Sequence, residues 1–389
     1  MSQKKIRLTH IITGLNTGGA EMMLFKLTQS MNRNLFDIKV ISLSSKGHLN
    51  KEFEKIGIEV YNCNITFLRS LSGLVSLYRY LKQAKPDIVQ TWLYHADFLG
   101  GIFAFSLGIK NIVWNIRGSY IGLKLNKLHT FLIIHLNAIL SNFIPKFIIS
   151  NSHECKNIFS EIGYKKEIFK IFPNGFDTQK FSPNQEFRNV LRKEINISEK
   201  SKLIGYFARF DVQKNHFGFI KIASKIKSKY PNVYFVLAGN GIDYQNTILI
   251  NWIDKFNLRS SFRLLGKRKD IHKINSALDL YLSPSYGEGF PNAIGEAMSC
   301  GVPCIATNVG DCKHIINNRN LIAEVDNSKD LVNKILICLK WNQEEIKKQR
   351  FLARQRIKNL YSIEKITEKY EDFYQRLINN NYSYFEKIY

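Results

Sequence analysis

The chain has 389 residues, 45% of them hydrophobic and 23% charged. That length is too great for one ordinary core and implies about two domains, and the composition is that of a globular protein. Lys and Arg number 56 against 32 Asp and Glu, a formal net charge of +24, which suits an anionic substrate or an anionic membrane surface. Part of that charge is compositional, because Lys, Asn and Ile are abundant throughout. Nucleic acid is set aside as a partner: no arginine-rich tail, zinc-finger spacing or aromatic RNA-binding signature occurs. The six cysteines, Cys63, Cys155, Cys300, Cys304, Cys312 and Cys338, form no C-x-x-C pair and read as free thiols of a reducing cytosol. Three of them, Cys300, Cys304 and Cys312, span a helix end, a strand and a loop without a matching His, so no metal is expected. The first five residues are polar and do not form a signal peptide.

Residues 6–13 read as a strand, followed by Gly14-Leu15-Asn16-Thr17-Gly18-Gly19-Ala20-Glu21 and a helix over 20–31. A glycine-rich corner between a first strand and a first helix lets backbone approach a phosphate closely. It is not the dinucleotide G-x-G-x-x-G, and no acid sits in the ribose position; a tight turn is the plain alternative. Strands at 36–43, 57–61 and 86–92 alternate with helices at 50–56 and 71–84. This alternation argues a parallel, doubly wound sheet with ligands beyond the carboxyl ends of its strands. Two strand exits are chemically loaded, Thr91-Trp92-Leu93-Tyr94-His95-Ala96-Asp97 and Trp114-Asn115-Ile116-Arg117-Gly118-Ser119-Tyr120. His95 either binds a substrate hydroxyl or caps the helix that starts near Ala96. Arg117 can hold a phosphate but cannot be a general base at neutral pH.

Residues 128–150 are the most apolar region. A spanning helix needs roughly 20 apolar residues, and His129, His135, Asn137, Ser141, Asn142 and Pro145 interrupt this one. A helix to about 142 and a strand at 146–150 fit better, with no transmembrane segment. The helix is either packed in the core or also touches a bilayer, with Lys124, Lys127 and Lys146 facing headgroups. Ser152 caps a helix over 153–162. A strand at 167–172 closes on Pro173-Asn174-Gly175-Phe176-Asp177, which is turn chemistry. Residues 178–200 are polar and charged and read as a linker.

A second sheet opens with a strand at 203–207 that exits into Ala208-Arg209-Phe210-Asp211-Val212-Gln213-Lys214-Asn215. Two cations at the end of a central strand suit a diphosphate, Arg209 as a planar fork and Lys214 as a movable point charge; solvent-facing charge is the alternative. Helix 216–230, strand 233–238, the turn Gly239-Asn240-Gly241, helix 248–256, strand 262–266 and helix 270–277 follow. The chain then runs through a buried strand at 278–282 into Ser283-Pro284-Ser285-Tyr286-Gly287-Glu288-Gly289-Phe290-Pro291-Asn292-Ala293-Ile294-Gly295-Glu296. Pro291 suits the first helical position, and Gly301 with Pro303 stops the helix before a strand at 304–306. Glu288 thus sits at a strand-to-helix corner and Glu296 in the second helical turn. Amides around Gly289, Phe290 and Asn292 would point out of the corner with the positive end of the helix dipole behind them. Two acids eight apart mean little alone, because Glu186 and Glu194 repeat the spacing; the context carries the signal. A turn at 308–311, a short strand at 321–323 and helices at 329–341, 343–360 and 362–389 complete the chain.

Strand, Gly-Glu-Gly-Phe-Pro, helix, then Glu296-Ala297-Met298-Ser299-Cys300-Gly301-Val302-Pro303 resembles the E-x7-E signature of retaining glycosyltransferases of family 4. Pro173-Asn174-Gly175-Phe176-Asp177 resembles the family's P-N-G-[IV]-D, and residues 208–215 its G-R-x-x-x-x-K-[GN], with Ala208 in place of Gly. The resemblance implies a GT-B fold: two Rossmann-like α/β domains, each a doubly wound parallel sheet, facing a cleft. The expected bounds are 1–185 for an acceptor-side domain, 186–360 for a nucleotide-sugar domain and 361–389 for a helix crossing back to the first. It implies transfer, with retention, of a hexosyl or N-acetylhexosaminyl group from a nucleotide diphospho-sugar, UDP- before GDP-, to a saccharide acceptor. Donor-binding residues would be Gly18, Gly19, Arg209, Lys214, Gly289, Phe290, Pro291, Asn292 and Glu296, with Glu288, Arg209 and Lys214 catalytic. His95 and Arg117 would lie on the acceptor side, Arg117 near the place of a His that many members carry. No cofactor is expected: no D-x-D occurs, and two cations with helix amides stand in for a metal. The basic balance and the 128–150 region point to a polyprenyl-diphosphate-linked acceptor in bacterial polysaccharide assembly, with the enzyme cytoplasmic and peripheral on the inner face of the plasma membrane. The alternatives are a GT-B-fold nucleotide-sugar epimerase, which would release no nucleotide diphosphate on adding acceptor, and a basic nucleic-acid-binding protein, whose binding would be salt-steep and survive Glu288→Ala.

Overall fold

A computed structural model describes residues 4–16, 18–65, 70–118 and 128–381. Lys124 and Lys127, which would face headgroups if the 128–142 helix touches a bilayer, lie outside the described residues, as do Thr17, Ser119 and Tyr120. The chain forms two compact units, Met1–Gly175 with Ile363–Tyr389, and Phe176–Ser362.

In the first unit, β1 (Ile6–Ile12), β2 (Phe36–Ser42), β3 (Glu59–Asn62), β4 (Ile88–Trp92), β5 (Ile112–Ile116), β6 (Phe147–Ser150) and β7 (Phe169–Ile171) form one sheet in the order β3-β2-β1-β4-β5-β6-β7. All pairings are parallel. Strands β4 and β5 are buried at every residue, as expected where helices cover both faces of a parallel sheet. Helices α1 (Gly19–Ser30) and α2 (Asn50–Lys55) supply Leu24, Leu27 and Phe53 to one core. Helices α3 (Ser70–Ala84), α4 (Tyr94–Ser106), α5 (Leu128–Leu140) and α6 (His153–Glu161) supply Leu77, Ala104, Ile134 and Phe159 to the other. Ser152 caps α6 through the Cys155 N–H.

The second unit begins with a correction. Residues 178–200 are not merely a linker: they contain α7 (Gln185–Glu194), packed on α10 (Ile271–Ala277). Its Arg188 and Arg192, one turn apart, bind Asp279 at 3.1 and 2.6 Å, and Arg192 is buried. The charges that suggested a solvated segment are therefore its anchors. The boundary falls at Gly175, not 185, because Phe176 donates its N–H to the Tyr361 carbonyl (2.8 Å) and stacks on Phe290. Strands β8 (Lys202–Phe207), β9 (Val233–Ala238), β10 (Phe262–Leu264), β11 (Leu280–Ser283), β12 (Cys304–Thr307) and β13 (Ile322–Ala323) form a parallel sheet in the order β10-β9-β8-β11-β12-β13. The order reverses between β8 and β11, which places a ligand crevice outside the carboxyl ends of those two strands.

Around this sheet lie α8 (His216–Lys229), α9 (Thr247–Lys255), α11 (Asn292–Ser299), α12 (Cys312–Ile316), α13 (Ser328–Leu339) and α14 (Gln343–Leu360). The short α12 follows the expected turn at 308–311, in a stretch where no element was expected. Pro291 precedes α11 rather than occupying its first turn; its ψ of 87° is not helical. The last helix, α15 (Ile363–Ile378), belongs to the first unit and buries Ile366, Tyr370, Phe373, Tyr374 and Leu377 in the core that α1 shares. It stops well short of 389: Asn380 takes a left-handed φ of 54°, and the Asn381 N–H returns to the Arg376 carbonyl (3.1 Å). Such a turn satisfies carbonyls that the helix end leaves open. All six cysteines are free and buried, and burial pushes the Cys63, Cys300 and Cys338 thiols up to about 12.

Candidate active site

The site in the second unit is made by the exits of β8 and β11. Two backbone-directed bonds sew the two exit loops together, and a third ties the β11 exit to β12. The Tyr286 N–H donates to the Gln213 carbonyl (2.8 Å), Asn215 Nδ2 to the Pro284 carbonyl (2.9 Å), and Thr307 Oγ1 of β12 to the Ser285 carbonyl (2.6 Å). Asn215 itself adopts φ 51° and caps α8 through the Gly218 N–H. Gly310 backs the corner at φ 51°, where a Cβ would lie 2.5 Å from the Glu288 and Gly289 carbonyl oxygens. A side chain there would push the corner out of place.

This stitching brings Lys214 Nζ to 2.6 and 2.7 Å from the two oxygens of Glu288. Both side chains are mostly buried, 16% and 12% exposed. Ser285 Oγ donates to Glu288 Oε1 at 2.8 Å. Behind it, the Tyr206 hydroxyl donates to the Lys214 carbonyl (2.7 Å) and lies 3.0 Å from Ser285 Oγ. Glu288 is thus fixed from two sides, and its charge is matched by one ammonium. The N–H groups of Gly289 and Phe290 carry no partner among the described residues, and the Gly289 carbonyl accepts from the Asp311 N–H at 3.0 Å. Glu296 is half-buried on α11. Burial, with Lys214 close by, lowers His216 to about 4, so this ring is neutral.

Arg209 does not join the Lys214–Glu288 pair. It is 59% exposed and donates through Nε to Asp211 at 3.1 Å, an exposed pair of the kind that contributes about 1 kcal/mol or less. Ser285 and Tyr206 escaped the sequence reading. The S-x-x-E spacing of Ser285 to Glu288 was a usable signal, whereas Tyr206 was hidden in an apolar strand.

In the first unit, Gly18 precedes α1 in extended conformation, and a Cβ on it would lie 2.2 Å from Glu21 Oε2. Burial raises that Glu21 carboxyl above its usual range. His95 is the second residue of α4, whose cap position is Leu93, so His95 does not cap the helix. Its ring is half-buried, 5.7 Å from the His129 ring, and burial lowers its basicity. Leu93 holds φ 74° at this exit, a strained backbone of the kind that collects at functional sites.

Arg117 is engaged within the first unit. Every guanidinium nitrogen is taken: Nε donates to Asn115 (3.0 Å), Nη1 to Asn174, and Nη2 to the Tyr370 hydroxyl (2.6 Å). Its Cζ lies 4.7 Å from the centre of the Trp92 ring. Through these bonds the cation ties α15 to the sheet of the first unit.

Two family models match the chain in succession, Glycosyltransferase Family 4 over residues 17–180 and Glycosyl transferases group 1 over residues 187–358. The chain belongs to the family 4 glycosyltransferases. It is 25% identical over 386 residues to the UDP-Gal:alpha-D-GlcNAc-diphosphoundecaprenol alpha-1,3-galactosyltransferase of Escherichia coli, covering 97% of this chain and 99% of that one. It is 26% identical over 321 residues to the N,N'-diacetylbacillosaminyl-diphospho-undecaprenol alpha-1,3-N-acetylgalactosaminyltransferase of Campylobacter jejuni, covering 80% and 82%. Among solved structures, HepE of Anabaena in complex with UDP superposes with a TM-score of 0.82 at 19% identity, covering 95% of this glycosyltransferase and 100% of that chain. The fold is therefore GT-B.

Proposed function

We propose that this glycosyltransferase moves a hexosyl or N-acetylhexosaminyl group from a UDP-sugar, with retention of configuration, to a polyprenyl-diphosphate-linked saccharide, at the cytoplasmic face of a membrane in bacterial surface-polysaccharide assembly. The observation that carries the reading is the Lys214–Glu288 pair beside the open amides of Gly289 and Phe290. Cleaving the sugar–phosphate bond puts negative charge on the departing diphosphate, and donors already aimed at it lower the barrier without reorganising. Lys214 is a compact charge on a flexible stem, able to swing from Glu288 to a phosphate. Arg209, exposed and weakly held, can fold in beside it. Glu288 is then released to accept from sugar hydroxyls while Ser285 keeps it in place. Glu296 on α11 accepts from the ribose, with Pro291 and Asn292 at the helix start beside the phosphates. In the first unit, the Gly18–Gly19 turn and His95 are the substrate-facing groups. The charge balance needs no resident metal. The names of the Escherichia coli and Campylobacter relatives support the donor and acceptor classes.

The test is acceptor-dependent release of UDP from UDP-sugars, with a synthetic polyprenyl-diphosphate saccharide and NMR assignment of the new linkage. Release that ignores the acceptor, or an inverted linkage, would overturn the reading. Lys214→Ala and Glu288→Gln should each abolish most of the turnover.

A further inference from the structure

Helices α3, α4 and α5 form one layer over the sheet of the first unit, α4 packing against both neighbours. No helix among the described residues is long and apolar enough to cross a membrane. Yet α5 is apolar on both sides. Its inner face buries Ile134 and Ala138, while Leu128, Leu132, Leu136, Ile139 and the following Phe143 are exposed, Phe143 by 71%. Their spacing of four, four, three and four residues makes one continuous stripe along the helix. Phe105 on α4 and Val75 on α3 extend the exposed apolar surface. Of the nineteen large apolar side chains exposed among the described residues, ten lie on or beside these three helices. Scattered exposed apolar residues need no explanation, but a contiguous face does.

Charge decides what covers it. Across α3, α4 and α5 the charged residues are Arg79, Lys82 and Asp97, and Asp97 is fully buried. Each helix follows one parallel strand and precedes the next, so the three carboxyl ends lie at one end of the sheet, where its strands begin. Exposed Lys82, Lys85 and Lys110 stand at that end, where Lys146 donates to Asn111 and the acid Asp87 is taken by Arg7 at 2.7 Å. The three helices thus offer exposed apolar side chains, with Arg79 and Lys82 on α3 and Lys85 and Lys110 just past the helix ends, and no exposed acid. A second copy docking face to face would set like cations together with no carboxylate to pair them. An anionic lipid surface answers both features, taking the stripe into the boundary between headgroups and acyl chains and the lysines into the phosphate layer.

We propose that the outer face of α3, α4 and α5 seats on an anionic bilayer, with the α5 stripe as its inserted edge. This deepens the reading above, which places the acceptor in a lipid.

The test floats the full chain with vesicles of phosphatidylglycerol and phosphatidylcholine in equal parts, and with phosphatidylcholine alone. The wild type should float with the first and hardly with the second. Leu132→Ser/Ile139→Ser should lower partitioning by about tenfold or more, and Lys82→Glu/Lys110→Glu by at least about fivefold per lysine. Both variants should keep wild-type turnover on a short-chain soluble acceptor and lose it on acceptor held in vesicles. Failure of the wild type to float, or equal flotation of the apolar variant, overturns the proposal. So does a wild-type dimer that the apolar variant dissociates, which would assign the face to a second copy. Flotation without any glycosyl transfer would sink the proposed reaction and leave the lipid face standing.

Discussion

Lys214 in the second unit and Arg117 in the first are both cations just past the carboxyl end of a central strand, and they are used in opposite ways. Lys214 spends its charge on one carboxylate, Glu288, through an ammonium that can rotate away. Arg117 has each nitrogen bound to Asn115, Asn174 or Tyr370 and its Cζ over the Trp92 ring. A planar fork with fixed directions suits a permanent lock, whereas a point charge suits exchange between partners. A cation at a strand exit is therefore no evidence of a substrate site until its remaining donors are accounted for.

The largest expected effect tests the second unit's side of this contrast. Glu288→Gln and Lys214→Ala should each reduce kcat by about 10²–10³, the scale of losing a positioned charge stabiliser, with little change in Tm. Equal turnover in either variant would break the contrast. Arg117→Leu should do the reverse. It strands the Asn115, Asn174 and Tyr370 polar groups in a buried site, at a cost of about 3 kcal/mol. Denaturant unfolding should show the loss, while turnover per folded molecule stays close to wild type. Abolished donor turnover in a fully stable Arg117→Leu protein would return Arg117 to the substrate.

Asp97 sharpens the comparison further. Its carboxyl is buried, takes a bond from Thr91 Oγ1 at 2.5 Å, and is pushed up to about 8 by burial. The folded value lies above the unfolded one near 4. Its contribution to stability is therefore fully present below about pH 4 and is lost as pH rises towards 8. Asp97→Asn should remove this fall in stability between about pH 4 and 8, read as Tm against pH. An unchanged profile would mean that the carboxyl ionises in the fold. The smallest expected effect is on Ser285→Ala, which removes one hydrogen bond to Glu288. A loss of about 1 kcal/mol, near fivefold in kcat/KM, follows, with KM for the donor rising more than kcat falls.

The Glu288 corner was legible because its residues are local: strand, glycines, proline and helix follow one another within some twenty positions. Lys214 was legible as a cation at a strand exit. The residues around them were harder to see. Tyr206 is an ordinary strand aromatic until the β8–β11 pairing sets its hydroxyl beside Ser285. The segment at 178–200 misled for the converse reason: its arginines look solvated in sequence and are anchored on Asp279 in the fold. The bonds of Arg117 were not legible because Asn174 and Tyr370, which accept from it, lie far along the chain.

What the sequence determined by itself was the alternation of strands and helices, the two parallel sheets and the family, since apolar periodicity, glycine turns and short motifs are properties of neighbouring residues. The tertiary structure alone decided which charges are free to meet a substrate. A charged side chain is defined by the groups that satisfy it, and those come from strands and helices that only folding brings together.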